Sequence, residues 1–403
     1  MAQAILEFDA HPADRAVGFE LGWDFAHHAL TPPLDDLAAG SPLRPGWDAG
    51  RACFGARTLA PSRHVRKWLQ LRLEAWRRGL VFEGVQVTPN YLRQIDVAWC
   101  PVTRLALTHD SCSPGDASGD AGPLPARPSA LSGGSEHSEL GGSCINRVRD
   151  DAGYAAGNLA VMSTRAHAAK GRCGFDDALT LMRLAEASPA APPGCATLAG
   201  LDELCGLGGA EWARLAVLCS FVTGLSHAQA ACLPMLVLPP NRLRLFNPVQ
   251  ALQALVTRQF GQEGWSGRIA RIETLLAGKP IRREFQRFVH ALLPRVLESG
   301  RRSGAQAMRW ALEDAWRNPL VMRCWSRFAE QLSAAQAEQV VVRASALGLG
   351  QQRSQAFTLA EATEDWALAR GGFVSVPARR HAGATRAHPA LSRNVPLQLA
   401  LGA

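Results

Sequence analysis

The sequence lacks the features of a membrane-spanning or secreted protein. No uncharged run reaches the roughly 18–20 residues that a membrane-spanning helix requires. Residues 2–14 contain acidic side chains and lack a long apolar core, which is not the pattern of a secretory signal. We therefore expect a cytoplasmic protein with no membrane partner.

Closely spaced cysteine pairs are lacking as well. The chain has ten cysteines, but no two of them form a Cys-x-x-Cys motif. Scattered cysteines in a cytoplasmic protein are normally reduced thiols, so we expect no disulfide framework.

Lysine is scarce, because only three of the 43 basic residues are lysines and arginine supplies the others. The net charge of +8 suits a polyanionic partner, above all a nucleic acid. Arginine enriched together with alanine, glycine and proline is also typical of a bacterial gene of high GC content. Composition alone leaves both interpretations open.

Changes in composition divide the chain into regions. Residues 1–97 are predicted to be irregular and partly helical, and residues 98–172 hold a hairpin–helix pattern with a disordered polar insertion at 110–142. A Pro/Ala linker at 187–200 leads to a helical domain at 201–370, a candidate surface for a protein partner. Residues 371–403 are predicted to be a disordered basic tail.

The hairpin–helix pattern lies in residues 143–171. Cys144–Val148 alternates like a strand, and a glycine-rich turn separates it from a second apolar run, Asn158–Met162. Ser163 is a suitable N-cap for a helix that continues to Lys170 and ends at Gly171. The predicted fold is therefore mainly α, with a small ββα finger and a helical C-terminal domain.

This pattern resembles the HNH (His-Me finger) endonuclease family, especially a bacterial and phage branch with Ser-x-Asp-Arg-Ile-Asp followed by Gly-Tyr. In the family a helical His and a Lys follow an Asn by nine and twelve residues, and Asn158, His167 and Lys170 keep both steps. Cys100-Pro-Val-Thr103 is similar to the knuckle that precedes the family's finger. The other matching residues are Asn146-Arg147-Val148, Gly153-Tyr154 and Leu159.

The resemblance implies metal-dependent hydrolysis of DNA phosphodiesters. In the family an Asp and the helical His hold one divalent cation, which we expect to be Mg²⁺, while a neighbouring His deprotonates water. Carried over, the metal ligands are Asn146 and His167, the base position is Arg147, and Asn158 fixes the hairpin loop. Asn146 and His167 should then face one another.

Two departures from the family weaken this chemistry. Arg147 cannot act as a general base because its pKa exceeds 12, and Asn146 is a weaker cation ligand than Asp. The chain is therefore either an HNH-like endonuclease or a derivative that binds nucleic acid or protein without cleavage. Four other residues are candidates for substitute ligands: His109, Asp110, Asp150 and Asp151.

The family's structural zinc is not expected here. Cys100 remains, but Thr103, Ser163 and Ala166 occupy the other three ligand positions, and a zinc knuckle requires four ligands.

Contacts to nucleic-acid phosphates are predicted for the cations in and beside the finger, which are Arg147, Arg149, Arg165 and Lys170. Two of the site residues also have structural alternatives. Arg147 could form a hydrogen bond across the hairpin, and His167 could be an ordinary polar residue of a helix.

Overall fold

The computed structural model describes residues 12–108, 142–187, 206–239, 247–300 and 304–349, which are mainly helical. The mainly α class is thus confirmed. Most of the predicted insertion at 110–142, most of the linker at 187–200 and the whole basic tail lie outside the described residues. No helix in the described ranges is long and apolar enough to cross a bilayer.

The N-terminal region, for which irregular and partly helical structure was expected, begins with two helices, α1 (Pro12–His27) and α2 (Leu43–Phe54). Two glycines of these helices lie where the helices pack together. A Cβ on Gly46 would lie 1.9 Å from the carbonyl oxygen of Phe19, and one on Gly22 would lie 2.0 Å from that of Leu43. Glycine therefore permits a backbone approach that any side chain would prevent.

Helices α3 (Arg63–Arg77) and α4 (Pro89–Ile95) each begin at a hydroxyl N-cap. The Ser62 hydroxyl accepts a hydrogen bond from the Val65 amide and caps α3. Thr88 caps α4, whose first residue is a proline. One face of α3 packs on α1 and α2, and its other side approaches the hairpin described next.

The predicted strand–turn–strand–helix order is present in residues 143–170, hereafter the ββα unit. Strands β1 (Ser143–Arg147) and β2 (Leu159–Ser163) pair antiparallel with Asn146 opposite Ala160. Helix α5 (Thr164–Lys170) follows at once, with Ser163 as N-cap and Gly171 at φ +46° beyond its end.

The remaining helices share a hydrophobic core with the ββα unit. They are α6 (Phe175–Ala187), α7 (Gly209–Ser220), α8 (His227–Ala231), α9 (Pro248–Phe260), α10 (Trp265–Leu275), α11 (Lys279–Ser299), α12 (Ala305–Ala315), α13 (Pro319–Glu330) and α14 (Ala334–Ala346). One hydrophobic core runs from Leu71 to Leu349 and includes Val161 and Met162 of β2. The hairpin is thereby packed on the helices.

A tight turn at residues 99–107 carries the predicted knuckle and docks it on α12. Trp99 pairs with Ala106, and between them Arg104 adopts the left-handed φ of +59°. The Arg104 guanidinium donates two 2.8 Å hydrogen bonds to the Asp314 carboxylate. Arg214 donates to the carbonyl oxygen of Val102 at 2.5 Å. These contacts fix the knuckle against the helical part of the chain.

Candidate functional site

The loop that joins β1 and β2 is closed by the buried side chain of Asn158. Its Oδ1 accepts a 2.8 Å hydrogen bond from the Arg149 amide. Its Nδ2 donates to the carbonyl oxygens of Arg149, at 2.8 Å, and Gly153, at 3.0 Å. One amide thus pairs three backbone groups, which is the loop-fixing role that the resemblance implied for Asn158.

Gly153 and Tyr154 anchor this loop to the segment before α4. The Tyr154 amide donates to the carbonyl oxygen of Val81 at 2.8 Å, and the Glu83 amide donates to that of Tyr154 at 2.9 Å. A Cβ on Gly153 would come within 2.5 Å of the Val81 oxygen. Glycine at 153 is therefore required by the close approach of two backbone segments.

Asn146 of β1 and His167 of α5 face one another, as predicted. Asn146 Nδ2 donates to His167 Nδ1 at 2.5 Å, and Asn146 Oδ1 accepts from the Arg147 amide at 2.8 Å. The Arg147 amide fixes the orientation of the Asn146 side chain, because a flipped side chain would set two donors against each other. His167 Nδ1 is then an acceptor, and the neutral ring carries its proton on Nε2.

The surroundings of His167 favour this neutral form. Burial lowers the pKa of His167, and the positive charge of Lys170 lowers it further, while Asp150 and Glu74 oppose the shift. At neutral pH the ring is therefore an uncharged imidazole, half-buried between the hairpin and α3.

Arg147 occupies the base position but is directed into the hairpin loop. The side chain is buried, and Nη1 donates to the carbonyl oxygens of Asp150 at 2.6 Å and Ala152 at 2.9 Å. Its guanidinium carbon lies 4.9 Å from the ring centre of Tyr154. The geometry favours the alternative in which Arg147 forms hydrogen bonds within the hairpin. The expected role of Arg147 as a phosphate contact therefore requires correction.

The other three predicted phosphate contacts are also bonded within the chain. Lys170 is fully buried and its Nζ lies 3.3 Å from an Asp150 carboxylate oxygen, so it cannot reach a phosphate in this conformation. Arg149 pairs with Asp151 at 2.6 Å. Arg165 pairs with Glu211 of α7 at 2.8 Å. The cations that stand out in the sequence of this unit thus stabilise its structure.

Two residues of α3 that sequence reasoning did not single out act electrostatically on the site. Burial raises the pKa of Tyr154, and the charge of Glu74, which hydrogen-bonds the Tyr154 hydroxyl, raises it further. The same charge opposes the lowering of the His167 pKa. Lys67 is largely buried, and burial lowers its pKa. Nothing in the local sequence of α3 indicates which element this helix faces.

The described donor set does not fit a resident divalent cation between Asn146 and His167. The Asn146 oxygen is engaged by a backbone amide, and the facing His167 nitrogen already accepts a hydrogen bond. Asp150 and Asp151 are paired with cations. Across the described ranges, no three His, Cys, Asp or Glu side chains gather in a metal-binding arrangement. His109 and Asp110 lie outside these ranges.

The four positions of the family's zinc knuckle lie close together in the structure. About 60 residues of sequence separate the first two, Cys100 and Thr103, from the last two, Ser163 and Ala166. The Ser163 amide and hydroxyl lie 3.3 and 3.4 Å from Cys100 Sγ. The hydroxyls of Thr103 and Ser163 are 3.2 Å apart, and the Ala166 amide donates to Ser163 Oγ at 3.3 Å. Hydrogen bonds thus join the positions that thiolates occupy in the family.

Comparisons with protein-family models, with curated proteins and with solved structures found no match. Membership of the HNH family therefore stays a prediction, supported by the order of elements, the Asn158 loop and the convergence at Cys100.

Proposed function

We propose that the chain is a nucleic-acid-binding protein built on an HNH-like ββα unit that no longer hydrolyses phosphodiesters. The observation that carries the proposal is the Asn146–His167 hydrogen bond, because it occupies the two groups that a catalytic cation would need. An HNH-like hydrolase relies on that cation to stabilise charge at the phosphate.

The base position supports the same conclusion. A general base must be able to accept a proton near neutral pH, whereas an arginine remains protonated. Arg147 is also turned towards two loop carbonyls and is buried there. Neither its chemistry nor its direction suits activation of a water molecule.

The binding half of the proposal rests on charge. The chain carries eight more basic than acidic residues, and nearly all its basic residues are arginines, which form forked hydrogen bonds with phosphates. DNA is the expected partner. Because each phosphate contact releases condensed counterions, affinity for duplex DNA should fall steeply as salt rises.

Two assays on the full chain test the two halves of the proposal. A titration of a fluorescent DNA duplex at several salt concentrations measures binding, and a plasmid-nicking assay with Mg²⁺ or Mn²⁺ measures hydrolysis. We expect salt-dependent binding without nicking. If the unmodified chain nicks the plasmid and His167→Ala does not, the chain is an active nuclease and the proposed absence of hydrolysis is wrong. Absence of binding at low salt would overturn the binding role and favour a protein partner for the helical C-terminal domain.

An active endonuclease is the second candidate, favoured by the lowered pKa of His167. Only a neutral imidazole can bind a metal ion, and His167 is neutral at physiological pH. This candidate requires Asn146 to release His167 when substrate and cation arrive. The nicking assay with the His167→Ala control distinguishes it from the first.

A further inference from the structure

An open cleft lined by arginines lies between α13 and the segment that follows α8. Its volume is about 480 Å³, within the range of small-ligand sites. Three arginines line it, one after the end of α12 and two a turn apart on α13: Arg317, Arg323 and Arg327. Met322 and Pro234 add apolar surface.

These three arginines differ from the cations of the ββα unit in lacking partners. Within the part of the chain that the structure describes, none of their guanidinium groups forms an ion pair or a hydrogen bond, although Glu330 lines the same cleft. Arg323 and Arg327 are one helical turn apart, where like charges repel and destabilise a helix. An anion between them would remove that cost.

The cleft is close to the elements that carry the knuckle. Arg104 of the knuckle binds Asp314 on the last turn of α12, and Arg317 follows that helix directly. The charge of Arg317 also acts on Arg214, whose guanidinium donates to the carbonyl oxygen of Val102 in the knuckle. A strand that passes the knuckle would therefore find positive charge at the end of α12.

We propose that this cleft binds the phosphodiester backbone of a nucleic acid and supplies phosphate contacts that the ββα unit cannot make. The inference rests on the proposed binding function. Forked guanidinium groups match the oxygens of a phosphate, and the volume accommodates a phosphate with its sugar. The apolar wall at Met322 suits the sugar and does not read bases, so binding here should be insensitive to sequence.

The test compares two charge-matched triple variants of the full chain in the duplex titration. The cleft variant is Arg317→Gln with Arg323→Gln and Arg327→Gln. The control variant is Arg271→Gln with Arg283→Gln and Arg343→Gln, three exposed arginines on other helices that also form no ion pair in the described ranges. Both variants remove three positive charges, so any difference between them reports position and not net charge. Thermal unfolding of each variant checks that it folds.

We expect the cleft variant to bind DNA at least about 10-fold more weakly. The slope of log affinity against log salt concentration should decrease in magnitude by about 3, one for each arginine that no longer neutralises a phosphate. The control should change the slope much less. Equal reductions in the two variants, with binding by the unmodified chain intact, would overturn the cleft but not the proposed function. Absence of binding by the unmodified chain would overturn both. If the cleft variant does not fold, the single variants Arg323→Gln and Arg271→Gln are compared in the same duplex titration.

Discussion

The side-chain amide of Asn146 donates to His167 Nδ1 across 2.5 Å, and this bond links strand β1 to helix α5. In the family that the unit resembles, an Asp and a His at these positions share a cation, and we expected Asn146 and His167 to take their places. A neutral amide and a neutral imidazole need no cation between them, because each satisfies the other directly. An Asn at position 146, where the family has Asp, therefore allows a direct hydrogen bond between the strand and the helix.

Asn146→Asp should reverse this relationship. A carboxylate beside His167 favours the protonated ring, so the pKa of His167 should rise by about one to three pH units. The pH titration of the His167 ring protons by NMR measures the change. Asn146→Ser removes the amide without adding charge and serves as the control. A His167 pKa that is equal in the two variants would contradict the described contact.

The lowered pKa of His167 also makes stability depend on pH. The unfolded chain takes up a proton near the ordinary histidine pKa of about 6.5, whereas the folded chain does so only at lower pH. Stability should thus be intact above pH 6.5, decrease as pH falls, and level off below the folded pKa. Denaturant unfolding at several pH values should show a smaller decrease for His167→Gln. An equal decrease would show that His167 does not contribute.

Arg147→Ala should destabilise the fold, whether or not nucleic acid is present. The substitution leaves the buried carbonyl oxygens of Asp150 and Ala152 without their donor, which should cost about 2–4 kcal/mol in the free energy of unfolding. Arg149→Ala is the matched control, and its destabilisation should stay below about 1 kcal/mol because its ion pair with Asp151 is partly exposed. Urea unfolding of both variants tests the difference.

Local signals predicted much of the architecture. Ser163 caps its helix as expected, and the alternation of residues 144–148 and the apolar run of residues 158–162 located both strands to within one residue. Such features depend on hydrogen bonds between residues close in sequence, so they can be recognised without the rest of the fold.

The pairing of the charged site residues depends on tertiary structure and could not be predicted. The spacing from Asn158 identified His167 and Lys170, but only the fold shows that Lys170 is fully buried with Asp150 as its partner. Glu74 acts on the site only because α3 crosses the hairpin. In the N-terminal region the sequence does not show that the backbone of α1 approaches Gly46 closely.

Gly46→Ala should separate α1 from α2. The new methyl group would lie 1.9 Å from the Phe19 carbonyl oxygen, and backbone cannot move aside as a side chain can, so we expect a destabilisation of about 3 kcal/mol. Gly267→Ala is the control because Gly267 also lies within a helix but has open space where a Cβ would lie. That substitution should stabilise the chain by about 0.5–1 kcal/mol. Thermal unfolding distinguishes the two outcomes, and similar effects would refute the close approach.

The convergence around Cys100 leads to a prediction about zinc. If the four positions share the geometry of a zinc knuckle, replacing three of them by cysteine should create a tetrahedral thiolate site. The substitutions are Thr103→Cys, Ser163→Cys and Ala166→Cys. The Ser163 hydroxyl already lies 3.4 Å from the Cys100 sulfur and 3.2 Å from the Thr103 hydroxyl. We expect one zinc ion per chain by elemental analysis.

Zinc should also raise the melting temperature of this triple variant, because the metal binds the folded state and not the unfolded chain. The double variant without Ala166→Cys offers only three thiols, so it should bind zinc more weakly and gain less stability. A folded triple variant that binds no more zinc than the unmodified chain would show that these positions meet without the knuckle geometry. The strongest structural support for the HNH resemblance would then disappear, whereas the Asn158 loop would still account for the hairpin.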